Sequence, residues 1–383
     1  MRIFVIAGEP SGDSLGAAVM AGLRALVPDI RFDGVGGAKM QAEGLTSRFP
    51  MDELSVMGLA EIAPKYFHLK RRIRECADAV LADPPDLLLT IDSPDFCLRV
   101  AGLVKQRSDI RTVHYVAPTV WAWRPKRAEK MARVIDHVLA LFPFEPPYMQ
   151  RAGMACDFVG HPVVTEPVAT TEEVASFRAR HGIGEAPLLL VLPGSRRGEV
   201  AKLGPIFSDV LARAKAAHPD LRLVLPAADH VAQTVQDMVA TWPVPPIVLD
   251  PRGVDRTTFA AEKRAAFKAA DVALAASGTV SLELAAAATP MVIAYDMHWL
   301  TRRIIQRMLL TDTVTLVNLV SDTRTIPEFI ADDCRAELIA PAITGVLETP
   351  QAQLSAMALT MDRLGKTGEA PGLRAARAIL DRL

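Results

Sequence analysis

Short runs of aliphatic and β-branched residues alternate with longer stretches of helical periodicity along most of the chain, and this alternation restricts the fold more than any other feature. A continuously apolar strand must be covered on both faces, and helical crossovers supply that cover. The pattern therefore predicts parallel sheets with helices on each side. In the first half, strands are expected at residues 3–7, 31–35, 87–91, 112–116, 138–142 and 157–159. The stretch 161–187 breaks the rhythm, opening on His161-Pro162 and passing through a Thr- and Glu-rich segment, as a linker followed by one helix would. A second series follows, with strands at 188–192, 222–225, 247–249, 272–275 and 291–294. A chain of 383 residues exceeds what one core usually organises. The expected architecture is α/β: two doubly wound Rossmann-like lobes, residues 1–165 and 166–350, with a cleft between them and a helical tail, 351–383, packed back on a lobe.

Composition removes whole classes of function. Lys and Arg number 43 against 44 Asp and Glu, so the net charge of −1 provides no field for nucleic acid. Cys76, Cys97, Cys156 and Cys334 are far apart and form no Cys-x-x-Cys pair, which reads as buried thiols in a reducing compartment. The apolar run after Met1 stops at Gly8-Glu9-Pro10, too early for a secretory signal, and no run is long enough to span a bilayer. A cytoplasmic enzyme is expected, able to reach a membrane only by surface attachment.

Ligands of open parallel sheets gather beyond the carboxyl ends of the strands, and five such segments carry candidate chemistry. Gly8-Glu9-Pro10-Ser11-Gly12-Asp13 opens a helix whose free N–H groups suit an anion or a sugar hydroxyl. Glu9, Ser11, Gly12 and Asp13 are candidates for the sugar side, although Ser11 or Asp13 would serve equally well as that helix's cap. In Asp92-Ser93-Pro94-Asp95, Asp95 has a structural task as N-cap of the helical run 96–105. Asp92 has none and is the candidate general base. Trp121, Trp123 and Arg124, beside Lys126 and Arg127, interleave aromatic and basic groups that either stack on sugars and grip phosphates or pack a domain edge. Gly194, Ser195 and Arg196 offer a flexible turn, a helix start and a guanidinium to a diphosphate. Ser277 is placed to cap the next helix while Gly278 and Thr279 face phosphate, and Glu283, one turn on, to accept both hydroxyls of a ribose. With no Asp-x-Asp pair and no His/Cys cluster at ligand spacing, neither a metal nor another cofactor is expected.

Taken together these segments resemble the lipid-A-disaccharide synthase family, bacterial glycosyltransferases of the GT-B fold. The resemblance runs nearly end to end, through Gly8-Glu9-Pro10-Ser11-Gly12-Asp13, Val56-Met57-Gly58, Ile91-Asp92-Ser93-Pro94-Asp95-Phe96, His114-Tyr115-Val116, Trp121-Ala122-Trp123-Arg124, Phe142-Pro143-Phe144-Glu145, Leu192-Pro193-Gly194-Ser195-Arg196 and Ala276-Ser277-Gly278-Thr279. It implies inverting transfer from UDP-2,3-diacylglucosamine to 2,3-diacylglucosamine 1-phosphate (lipid X), giving a β-1,6-linked disaccharide 1-phosphate and UDP in lipid A biosynthesis. It also implies that Asp92 is the essential acidic residue, that Arg196 and Glu283 serve the uridine diphosphate, and that Asn318 is a further important polar residue. It allows a homodimer. Pro10 stands where the family often has threonine, and Arg197 where a small residue is common.

Acylated substrates further imply work at an anionic membrane surface. In residues 65–76, Tyr66, Leu69 and Ile73 share a helical face while Arg71, Arg72 and Arg74 supply positive charge. A second candidate, residues 299–310, pairs Leu300, Ile304, Ile305 and Leu309 with Arg302, Arg303 and Arg307. The alternative readings are a UDP-sugar 2-epimerase, or a non-catalytic nucleotide-sugar or lipid-binding protein on the same scaffold.

Overall fold

The computed structural model describes residues 1–54, 59–297 and 310–383, and the side chains of 59–65 are not included in that description. The Val56-Met57-Gly58 motif and nearly all of the second basic segment, residues 299–309, lie outside the described residues. The chain forms two compact units, Met1–Thr165 with Leu364–Leu383, and Glu166–Arg363.

The first unit holds a parallel sheet of β1 (Arg2–Ala7), β2 (Arg31–Val35), β3 (Leu87–Ile91), β4 (Arg111–Tyr115), β5 (His137–Ala140) and β6 (Ala155–Phe158), in the order β2-β1-β3-β4-β5-β6 among the described residues. The second holds β7 (Leu188–Leu192), β8 (Arg222–Pro226), β9 (Ile247–Leu249), β10 (Val272–Ala276), β11 (Met291–Tyr295) and β12 (Glu328–Ile330), in the order β12-β11-β10-β7-β8-β9. Every residue of β3, β7 and β10 is buried, as a strand covered by helices on both faces must be. Relative to the sequence reading, β4, β5 and β6 begin and end slightly earlier. Val116 explains the first of these, because its φ of 88° takes the chain out of the strand. The expected strands did not include β12, whose three residues are only half-buried at a sheet edge.

The strand orders fix where ligands can bind. In the first unit, β2 and β3 flank β1 on opposite sides, so the chain reverses direction across the sheet between β1 and β3. In the second, β8 and β10 flank β7 in the same way. Such switch points open a crevice at the carboxyl ends of the two strands. The loops found there are Gly8–Asp13 and Asp92-Ser93 in one unit, and 193–199 and 277–283 in the other.

The tail, expected as one cap, is two helices that belong to different units. Gln351–Arg363 lies in the second, where the buried Gln353 carboxamide accepts from the Met291 N–H (2.8 Å) and donates to the Met291 carbonyl (3.0 Å). That side chain satisfies a buried backbone pair as a neighbouring strand would. Pro371–Leu380 lies in the first unit against the Pro10–Leu26 helix, glycine to glycine. A Cβ on Gly22 would lie 2.7 Å from the Gly372 carbonyl oxygen, and one on Gly372 would lie 2.5 Å from that of Ala18. Only glycine allows the two helix backbones this approach.

Candidate functional site

In the second unit the carboxyl ends of β7 and β10 open into a cavity of about 560 Å³. Gly194, Ser195 and Arg196 line it from the turn after β7, and Ser277, Gly278, Thr279 and Glu283 from the segment after β10. The first turn leads into the helix Arg197–Ala217, with Arg196 at its N-cap in extended conformation. The Arg196 side chain is 69% exposed. Gly194 has φ 110°, and a Cβ there would come within 2.6 Å of the Glu199 carboxylate, so both the turn and its packing demand glycine. After β10, Gly278 (φ 152°) turns the chain into the helix Val280–Ala287. The N-cap is Thr279, without a side-chain cap bond, so Ser277 does not take the capping role expected of it. Of its early amides, those of Ser281 and Leu282 donate to the Gly278 (3.3 Å) and Thr279 (2.9 Å) carbonyls, and the positive end of its dipole lies on the cavity wall.

Glu283 is half-buried, and its Oε2 accepts from Lys263 Nζ at 2.7 Å. Lys263 also stands 4.9 Å above the Phe267 ring. Lys263, Phe259, Phe267 and Glu199 all line the cavity and escaped the sequence reading as site residues. Glu199 had a local signal, three residues beyond Arg196 at a helix start. Lys263 had none: it sits in mid-helix within Arg256–Ala269, and only tertiary packing brings it to Glu283. Asn318 is not among the cavity's lining residues. Its buried amide donates to the Ile326 carbonyl (3.0 Å) and accepts from the Ile326 N–H (3.0 Å), which pins the chain leading to β12.

In the first unit, the switch-point residues Asp92 (φ 52°) and Ser93 (φ 42°) are both left-handed, an arrangement that costs side-chain-bearing residues energy and concentrates at functional positions. Asp92 donates its N–H to the Tyr115 carbonyl (3.0 Å), and its Oδ1 accepts from the Ser93 N–H (2.9 Å). Among the described residues Ser93 Oγ is buried without a hydrogen-bond partner, and a Cβ on Gly8 would sit 2.6 Å from it. The helix begins at Pro94 with Ser93 as N-cap. Asp95 is therefore not the cap it was expected to be; it lies exposed in the first turn, where a negative charge favours the helix dipole.

Asp13 also has a different task from either one foreseen. It is 6% exposed, and its carboxylate accepts from the N–H groups of Gly37 (2.8 Å), Met40 (3.0 Å) and Lys39 (3.0 Å). It caps the short Ala38–Ala42 helix from outside, while Glu9 is the N-cap of its own helix. Gly12 is buried, and Ser11 is exposed in the first turn. His114 is buried with Nδ1 2.8 Å from Thr90 Oγ1, and burial pushes its imidazole down to about 4, which keeps it neutral.

The tryptophan segment divides. Trp121 belongs to the core: its ring meets Phe144 edge-on at 5.1 Å, Phe144 stacks on Phe142 at 5.4 Å, and Nε1 donates to Glu145 at 3.4 Å. Trp123 is partly exposed with the Arg124 guanidinium 4.3 Å above it, so this pair keeps a surface available to a ligand. Glu145 is 2% exposed, accepts from the N–H groups of Leu141 and Phe142, and is pushed by burial up to about 7.

The raised Glu145 value means that the native state favours the protonated carboxyl. Its contribution to stability is complete below about 4.5 and is lost as pH rises through about 7. Glu145→Gln keeps an acceptor and cannot ionise. Relative to wild type, it is expected to gain on the order of 3 kcal/mol between about pH 4.5 and pH 8. Urea denaturation of both proteins across that range checks the result, and parallel curves would contradict it.

The basic helix Leu59–Ala82 turns a different face outward from the one expected. Ile73 is buried, Leu69 packs on the same core, and Arg72 is held by Glu53 (2.8 and 2.9 Å) and Glu75 (2.8 Å) over the Phe49 ring (4.2 Å). Arg72 and His68 in turn hold the Glu53 carboxyl down at about 2. Leu69, Arg72 and Ile73 are therefore structural, not available to a membrane. Phe67 (81% exposed), Lys70, Arg71 and Arg74 form the outer face, with Tyr66 (45% exposed) beside it.

A family model described as Lipid-A-disaccharide synthetase matches residues 3–376. A lipid-A-disaccharide synthase of Ruegeria pomeroyi is 65% identical over 100% of this chain and 96% of its own length. That of Rhodospirillum centenum is 45% identical over 100% of this chain and 94% of its own. Among solved structures, UDP-GlcNAc 2-epimerase from Neisseria meningitidis, bound to UDP-GlcNAc, superposes with a TM-score of 0.63 at 12% identity, covering 100% of this chain and 99% of that one. At that identity the likeness concerns the fold, two α/β lobes of the GT-B type.

Proposed function

The chain belongs to the lipid-A-disaccharide synthetase family, and we propose that it transfers 2,3-diacylglucosamine from UDP to 2,3-diacylglucosamine 1-phosphate with inversion. The observation that carries the site assignment is the convergence of Arg196, the N-terminal end of the Val280–Ala287 helix and Glu283 on one cavity at a switch point. In this reading the helix end and Arg196 take the diphosphate, and Glu283, with one oxygen held by Lys263, offers the other to the ribose hydroxyls. Asp92 takes the proton of the acceptor 6-hydroxyl as that oxygen bonds to the anomeric carbon. The bond from that carbon to the diphosphate oxygen breaks, and UDP leaves with the electron pair. Charge growing on the leaving diphosphate is met by donors already in place, which is where preorganised electrostatics contributes most. We take the guanidinium and helix end to do this without a divalent ion or other cofactor. Trp123 and Arg124, with Glu9 and Ser11, remain candidates for the acceptor side.

Incubation with the acylated donor and lipid X tests the reading through its products, and equal amounts of UDP and disaccharide 1-phosphate are expected. Epimerised sugar without free UDP would assign the chain to the 2-epimerase reaction. No turnover would leave a binding protein.

No helix among the described residues is long and apolar enough to cross a membrane. We propose peripheral attachment to an anionic membrane face through Phe67, Lys70, Arg71 and Arg74, which fall at one helical face by their spacing. Each cation near such a surface contributes about 1 kcal/mol. Arg71→Ser with Arg74→Ser, leaving Arg72 in its structural pairs, should lower the partition onto anionic vesicles by about tenfold or more. An unaltered bound fraction in sedimentation would remove this face from the account.

A further inference from the structure

We infer that Glu199 is a placeholder for the donor's diphosphate, occupying that group's hydrogen-bond donors between turnovers and hastening the departure of UDP after transfer. The inference rests on the assignment of the diphosphate to Arg196. Glu199 Oε2 accepts from the N–H groups of Ser195 (3.2 Å) and Arg196 (3.3 Å), while Oε1 lies 3.4 Å from Arg196 Nη1. These are the amides and the guanidinium that the turn after β7 presents to an anion, and Glu199 itself lines the cavity. The three contacts are long for charge-assisted hydrogen bonds, which run about 2.7–2.9 Å. The carboxylate is therefore held loosely enough to be exchanged. Gly194 leaves the room that this placement needs, since a Cβ there would lie 2.7 Å from Glu199 Cβ.

A glutamate three residues into a helix ordinarily caps the N-cap amide and does no more. Here it also takes the preceding amide and pairs with a guanidinium whose side chain is otherwise 69% exposed. The distinction lies in charge. The diphosphate of a UDP-sugar is esterified at both ends, which leaves one ionised oxygen on each phosphate. Transfer frees the terminal phosphate, whose second ionisation near pH 6 adds negative charge at neutral pH. A displaced carboxylate that stays nearby repels the product more than the donor, so it favours exchange of spent UDP for fresh substrate.

Glu199→Gln preserves shape and a capping oxygen but removes the charge. UDP binding, measured by calorimetry on the full chain, is expected to tighten about tenfold, while the donor KM moves by less than about threefold and product inhibition by UDP deepens. Glu199→Ala, which cannot cap, should tighten UDP as well. Unchanged or weakened UDP binding in both variants, with thermal midpoints near wild type, would reduce Glu199 to a cap and overturn the inference. Arg196→Ala measured alongside separates the two levels. Unaltered UDP affinity there sinks the diphosphate assignment itself, whereas weakened affinity there with no tightening in Glu199→Gln sinks only the placeholder role.

Discussion

Asp92→Asn is expected to lower kcat by about 10²- to 10⁴-fold while UDP affinity stays within about twofold of wild type. The substitution is close to isosteric, and its remaining oxygen can still accept from the Ser93 N–H, so the left-handed pair at the end of β3 keeps its local hydrogen bond. What it loses is the ability to take a proton from the acceptor hydroxyl. The cavity assigned to UDP is lined by residues of the second unit and Asp92 belongs to the first, which is why binding should survive. Steady-state kinetics with calorimetric UDP titration decides the matter. Near-normal turnover would remove Asp92 as the base, and a parallel loss of UDP affinity would make it a binding residue.

Arg196→Ala is expected to raise the Kd for UDP about tenfold to a hundredfold, the range for loss of a hydrogen bond to a charged group. It should also lower kcat, because the interaction strengthens as charge builds on the departing phosphate. The side chain is exposed and, among the described residues, its hydrogen bond goes to Glu199, so the fold has little to lose. Arg196→Lys should recover part of the affinity, since it restores charge without the planar fork. Equal UDP affinity in wild type and the alanine variant would place the diphosphate elsewhere.

The parts of this molecule that were legible in the sequence are those decided locally. Leu188–Leu192 reads as a central strand because covering both faces leaves no polar position, and its five residues are all buried. Gly194 and Gly278 announce the two cavity turns because each lies two residues beyond such a strand, and the structure gives each a positive φ. The strand orders, and with them the positions of the switch points, come from the structure. By contrast β12, three half-buried residues after Pro327, carries too little periodicity to be seen.

Residues whose role depends on distant partners were misjudged or missed for a common reason. Apolar periodicity shows that a helix face is covered but does not say by what, so Ile73 read as a membrane contact although the first unit's own core covers it. The same limit applies to charge: Arg72 resembled its neighbours in sequence, and its pairing with Glu53, 19 positions away, helps to distinguish it. Asp13 lies at a helix start but caps the Ala38–Ala42 helix, and Trp121 owes its burial to the Phe142–Glu145 segment. Lys263 reaches Glu283 across 20 positions. No spacing rule connects such pairs.

The most direct test of the central claim is a crystal structure of the chain grown with UDP. The diphosphate is expected within hydrogen-bond distance of Arg196 and at the N-terminal end of the Val280–Ala287 helix, with the ribose against Glu283. A diphosphate bound away from the β7 and β10 ends, or held there through a divalent ion in place of Arg196, would contradict it.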